Sequence, residues 1–256
     1  MRTLIAALAI AAAAAAPLAQ SAAKSTVKLD GPAPKTAEGK PDLSGVWQGG
    51  GPINDIAEGL PRGEVVPLLP AARKILESRL SKDDPETNCL PTGVPRIAPY
   101  PWRIVQTPTH VFMLFEGNIH SYRQIFIDGR KHPDDPDPTW YGHSIGRWEG
   151  STLVVDSVGF NDKFWFDFKG HPHSEKLHVV ERYTRTNLGT LVNKITIDDP
   201  GAYAKPFTLT FTATLSPGEE LMEYICNENN QDLEHIQGPT TVGGDPERPQ
   251  GTSKTK

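Results

Sequence analysis

Long apolar runs are scarce in this 256-residue chain, and so are cysteine, with two residues, and methionine, with three. Past the first residues no segment approaches the roughly 20 apolar residues that span a bilayer as a helix, which argues against a membrane-embedded helical protein. Basic residues are outnumbered, 26 Lys and Arg against 31 Asp and Glu, a net charge of -5 with no basic stripe. A nucleic-acid backbone is therefore a poor partner, and a small neutral or apolar molecule a better one. No fixed-period repeat is present, which excludes a solenoid.

The apolar run at the start is short. Arg2 precedes Leu4 to Ala16, and Ser21-Ala22-Ala23 supplies small residues before a cleavage point, so residues 1–23 read as an export signal. Removing Arg2 with it takes the net charge from -5 to -6. Residues 24–40 and 238–256 are polar, lack apolar periodicity and are expected to be flexible, leaving 41–237 as one domain with a substantial core. The expected location is the periplasm or the exterior. There Cys89 and Cys226 should pair, because a lone nucleophilic thiol would oxidise. Closing so long a loop stabilises a fold by about 4 to 5 kcal/mol in a chain-entropy account.

Strand periodicity dominates the body. Apolar runs at 103–106, 110–116 and 121–128 are followed by two hairpins, 141–158 around Glu149-Gly150-Ser151 and 177–198 around Asn187-Leu188-Gly189. In 207–215, Phe207, Leu209, Phe211, Ala213 and Leu215 alternate with four threonines, which gives one dry and one wet face. Residues 220–226 read as a last strand, and Leu69 to Leu80 as the one helix, a cover or plug with Pro70 in its first turn. About nine or ten strands joined by short turns predict an all-β fold, an antiparallel up-and-down barrel or strongly curved sheet, because closure removes exposed edges. A two-sheet sandwich is the alternative.

Gly45-Val46-Trp47 resembles the glycine-x-tryptophan opening of lipocalin-type barrels. A wider set, PDLSGVW at 41, CLPTGVPR at 89, DGRKHP at 128, PTWYGHSIGRWEGSTLVVDSVGFND at 138, HPHSEKLHVVERY at 171 and CNEN at 226, resembles a group of exported, mostly uncharacterised bacterial proteins with lipocalin-like features. The resemblance implies export and a single β-rich domain and carries no catalytic residue.

The polar side chains concentrate in one stretch. His143, His171, His173, Glu175, His178, Glu181 and Arg182 make the densest constellation, and His171 and His173 converge only if their loop folds over the barrel mouth. Two or three imidazoles with a carboxylate suit a divalent metal such as zinc, with His143, His173 and His178 as ligands. Without a metal, His143 or His173 can serve as general base and Arg182 as an orienting cation, in lyase, isomerase or hydrolase chemistry with Glu175 and His178 at the centre. Trp140, Phe164, Trp165, Arg123 and Glu223 are candidate pocket residues, since charges within apolar strands must face solvent or be paired inside. The three aspartates at 134, 135 and 137 lack the glycine of a calcium loop, and Gly142-His143-Ser144-Ile145-Gly146 lacks the order of a serine nucleophile motif. Two function classes follow: an enzyme acting on a small apolar or aromatic molecule, or a carrier that holds such a ligand without turnover. A structural envelope protein is a third. Oligomeric state is not legible.

Overall fold

A computed structural model describes residues 28–96, 100–117 and 121–228. The nine strands are β1 (Gly45–Gly49), β2 (Trp102–Gln106), β3 (His110–Phe115), β4 (Tyr122–Phe126), β5 (His143–Glu149), β6 (Thr152–Val158), β7 (His178–Arg185), β8 (Thr190–Asp198) and β9 (Phe207–Leu215), and they close into a barrel in sequence order. The helix, α1, spans Pro70–Ser78. No helix among the described residues is long and apolar enough to cross a membrane.

Closure adds one feature to the antiparallel expectation. With an odd number of strands one neighbouring pair must run the same way, and that pair is β4 with β5, joined only through Ile125 opposite Ser144 and Phe126 opposite Ile145. The chain between them returns to the starting end of the barrel, so 127–142 is a crossover rather than a turn. The two predicted hairpins form, and Gly150 supplies the positive φ of +60° that the first turn needs.

The predicted strand at 220–226 does not form. β9 pairs with β8 on one side and β1 on the other, so no edge remains for a further strand. Residues 216–228 instead run along the outside, where Met222 N–H donates to Glu116 at 2.8 Å, Tyr224 stacks on Tyr100 at 5.5 Å, and Cys226 is bonded to Cys89. The N-terminal stretch expected to be flexible is also anchored where it is described, since the N–H groups of Leu188 and Gly189 donate to Gly31 and Leu29. The predicted signal and the 238–256 tail lie outside the described residues.

The barrel lumen is filled. One apolar cluster gathers Trp47, Trp102, Ile104, Val111, Leu153 and Tyr183, while the other gathers Phe160, Phe164, Phe166, Ile195, Ile197 and Leu209 beneath the β6–β7 connection. Burying such side chains stabilises by about 1.5 to 3 kcal/mol each. Within the lumen lies a polar network. Arg123 faces Glu181 at 2.6 Å, and its Nη2 donates to Ser157 at 2.8 Å and its Nε to Ser144 at 3.2 Å. Tyr183 donates to Glu181 Oε1 at 2.6 Å, and Asn193 donates to the same oxygen at 3.4 Å. Glu181 Oε2 meets Arg123 as a charge contact without hydrogen-bond alignment. Burial opposes the Arg123 charge, but the Glu181 carboxylate and the Tyr183 oxygen outweigh it and raise its pKa.

Candidate functional site

The β6–β7 connection, residues 159–177, folds back over one end of the barrel. Its rings do the anchoring: Phe160, Phe164 and Phe166 are fully buried, and Gly93 fits face to face against the Phe164 ring because it has no Cβ. Beyond Phe166 the chain turns around Asp167. One oxygen of this buried carboxylate accepts from Gly170 N–H at 2.9 Å and His171 N–H at 3.0 Å, the other from Ile56 N–H at 2.6 Å and His171 Nδ1 at 2.6 Å. Three backbone donors thus hold the carboxylate in place, aimed at Nδ1 of His171. Among the described residues, Nε2 of His171 has no hydrogen-bond partner.

His171 lies at the floor of a cleft of about 600 Å³, walled by Val66, Leu68 and Leu76 and edged by Arg73, Arg79, Lys169 and Asp55. Asp55 accepts from Lys169 Nζ at 2.7 Å and Ala57 N–H at 2.8 Å. Burial opposes the Asp55 charge, but those two donors outweigh it and lower its pKa. Arg79 donates to Gly170 O at 2.8 Å and lies over the Trp165 ring, and burial brings its pKa down to about 10.

Helix α1 is the ridge between this cleft and a second one. It buries only Ala72, so its attachment rests on its ends, where Leu69 N–H donates to Ala202 O and Arg79 reaches Gly170. The second cleft, about 470 Å³, is lined by His173, Glu175, Asp162 and Ile75. His173 is wedged between Phe164 and Phe166, with ring centroids 3.8 and 5.1 Å away. Burial pushes its pKa down to about 4, so it is neutral near pH 7. Its Nε2 is buried without a partner.

A different histidine group sits on the outer face of the sheet. His143 on β5, Asp156 on β6 and His178 on β7 all point outward, because their neighbours Ser144, Val155 and Val179 face the lumen. The crossover adds His132, whose Nε2 lies 3.1 Å from Asp156 Oδ1 and whose Nδ1 lies 2.8 Å from His143 Nδ1. His178 Nε2 meets the same Asp156 oxygen at 3.0 Å. Burial, His132 and Arg130 together lower the pKa of His143.

The predicted residues therefore divide among several places. His143 and His178 share the outer cluster, His173 and Glu175 share the second cleft, and no single point gathers the three predicted metal ligands. Arg182 lies on the outer face, paired with Glu149 at 2.8 Å. Arg123 faces the lumen, and Phe164 and Trp165 belong to the buried plug. Trp140 packs partly buried against that plug, whereas Glu223 is exposed on the outer segment and lines no lumen. Sequence reasoning missed Asp167, Asp156 and His132. Asp167 had a signal, four residues before His171 in a loop already singled out.

Asp55, Asp167 and His171 bring their donor atoms within 4.8 Å of one another, but the N–H groups and the Lys169 ammonium already occupy those oxygens. The trio is accordingly an anchored His171–Asp167 pair with a neighbouring ion pair. Comparison of the chain with protein-family models, curated proteins and solved structures gave no match.

Proposed function

We propose that the protein is a periplasmic or secreted enzyme of the lyase, isomerase or hydrolase type, in which His171, oriented by Asp167, moves a proton on a small molecule with an apolar body. One observation carries the reading: a cleft-floor imidazole whose Nδ1–H is held by a buried, fully hydrogen-bonded carboxylate and whose Nε2 is left without a partner. In that arrangement Nε2 accepts the substrate proton, and the Asp167 charge 2.6 Å from Nδ1 stabilises the imidazolium that results. Val66, Leu68 and Leu76 receive the apolar part, and Lys169 and Arg79 stand where a developing negative charge is neutralised. His173, neutral across the physiological range, serves as a hydrogen-bond acceptor from the second cleft and not as the base.

The carrier alternative needs a dry cup inside the barrel. Here rings fill the lumen, and the opening beside Arg123 and Glu181 is about 20 Å³, room for a water molecule and far below the range that holds a drug-sized ligand. The acid–base reading is preferred on that ground. A panel of small hydrolase, lyase and isomerase substrates tests it against the wild type and His171→Asn, whose amide sits at the Nδ1 position and can still donate to Asp167. The expected result is turnover of at least one compound, reduced about 10²- to 10⁴-fold in the variant with the folded state retained. Turnover indifferent to His171→Asn would refute the assignment.

A further inference from the structure

The outer histidine cluster has no role in the acid–base site and little to offer stability. His132, Asp156 and His178 keep side-chain exposures of 20, 27 and 40%, where water screens their attraction. Three imidazoles around one carboxylate also repel one another once protonated. Asp198, opposite His178 on β8, adds a second carboxylate at the edge, and Arg130 stands on the far side, paired with Asp128 and lying over Phe126.

What the group offers is a ligand set. Two atoms bound to one first-row metal at about 2.1 Å lie about 3.0 to 3.4 Å apart. Each of the two nitrogens beside Asp156 Oδ1, at 3.0 and 3.1 Å, is now hydrogen-bonded to that oxygen at a distance that shared coordination would also give. His132 Nδ1, 2.8 Å from His143 Nδ1, makes the kind of outer hydrogen bond that orients a ligating imidazole. Only Asp55, Asp167 and His171 have all three donor atoms within 4.8 Å of one another among the described residues, so the nitrogens of His132 and His178 stand further apart than that. His178 is fixed on a strand, whereas His132 lies on the crossover, so His132 is the ligand that moves inward on loading.

We propose that Asp156, His132 Nε2 and His178 Nε2 form a site for a divalent transition metal on the outer face of the barrel, with His143 as the outer-shell partner of His132. Two imidazoles and one carboxylate leave coordination positions open to water or a small anion and favour zinc or iron(II) over calcium or magnesium.

Calorimetric titration of the full chain with zinc chloride at pH 7.5 tests this, alongside His178→Ala, His132→Ala, His143→Ala and Asp55→Asn. The expected result is one equivalent bound by the wild type and by Asp55→Asn. The saturable step should vanish in His178→Ala and His132→Ala, and affinity should fall about 10- to 100-fold in His143→Ala. His178 and His132 are partly exposed, so both alanine variants should fold, and far-ultraviolet circular dichroism checks that they do. No stoichiometric binding by the wild type overturns the proposal, as does binding that survives His178→Ala or disappears in Asp55→Asn. The measurement needs no substrate and is independent of the His171 reading.

Discussion

Two arginine–glutamate pairs touch β7, one on each of its faces, and they differ in almost everything but length. Inside, Arg123 and Glu181 stand 2.6 Å apart with 3 and 2% of their side chains exposed; outside, Arg182 and Glu149 stand 2.8 Å apart with 42 and 40% exposed. The inner pair has left water and depends on every neighbour: Ser144, Ser157, Tyr183 and Asn193 supply the hydrogen bonds that desolvation removed. The outer pair has left nothing. Distance alone therefore says little about an ion pair's worth, and the surroundings decide it.

The sharpest way to break the comparison is to remove one inner partner. Arg123→Ala strands a buried carboxylate, and urea unfolding should show a loss of about 3 to 5 kcal/mol. A loss below 1 kcal/mol would mean that water reaches the lumen. Replacing the group together, Arg123→Met with Glu181→Leu and Tyr183→Phe, should recover most of that loss, because it leaves no stranded partner.

Burial separates the histidines in the same way. His173 has a folded-state pKa near 4 against an ordinary value of 6.5, so between those values the unfolded chain binds a proton that the folded one refuses. Stability is therefore full above pH 6.5 and falls as the pH drops toward 4, by about 3 kcal/mol in all. Denaturation midpoints at pH 7.5 and 4.5 for the wild type and His173→Phe should show a shallower acid loss in the variant. Equal slopes would remove His173 from the account. The smallest effect belongs to the outer pair: Arg182→Ala should cost less than about 1 kcal/mol, and less again at high salt.

Much of the barrel was legible because strand parity and turn chemistry are local. The threonine alternation of 207–215 and the Gly150 turn each fix an element without knowledge of its partners, whereas the strand count favoured closure without deciding it against a sandwich. Parity also implied that His178 and Glu181 face opposite sides of β7, but not which side is wet. That depends on Arg123, contributed by β4 and distant in sequence. The outer cluster was half legible for the same reason. The β5–β6 hairpin puts His143 and Asp156 on one face, but a long connection separates β6 from β7, so the placement of His178 beside Asp156 is set by tertiary packing. His132 comes from a crossover with no periodicity at all. The strand expected at 220–226 failed through competition, since local pattern cannot reveal that an edge is already taken.

The parallel seam between β4 and β5, only two residue pairs long, changes what the lumen network means. Arg123 belongs to β4, and the groups it touches, Ser144, Ser157 and Glu181, belong to β5, β6 and β7, all on the far side of that seam. One guanidinium thus fastens the barrel where its backbone lacing is shortest, as a rivet holds a sheet-metal tube along the joint where its edges meet. A tube riveted from within leaves the outer side of the joint to other parts of the chain, and it is there, at the start of β5, that His132 of the crossover meets His143.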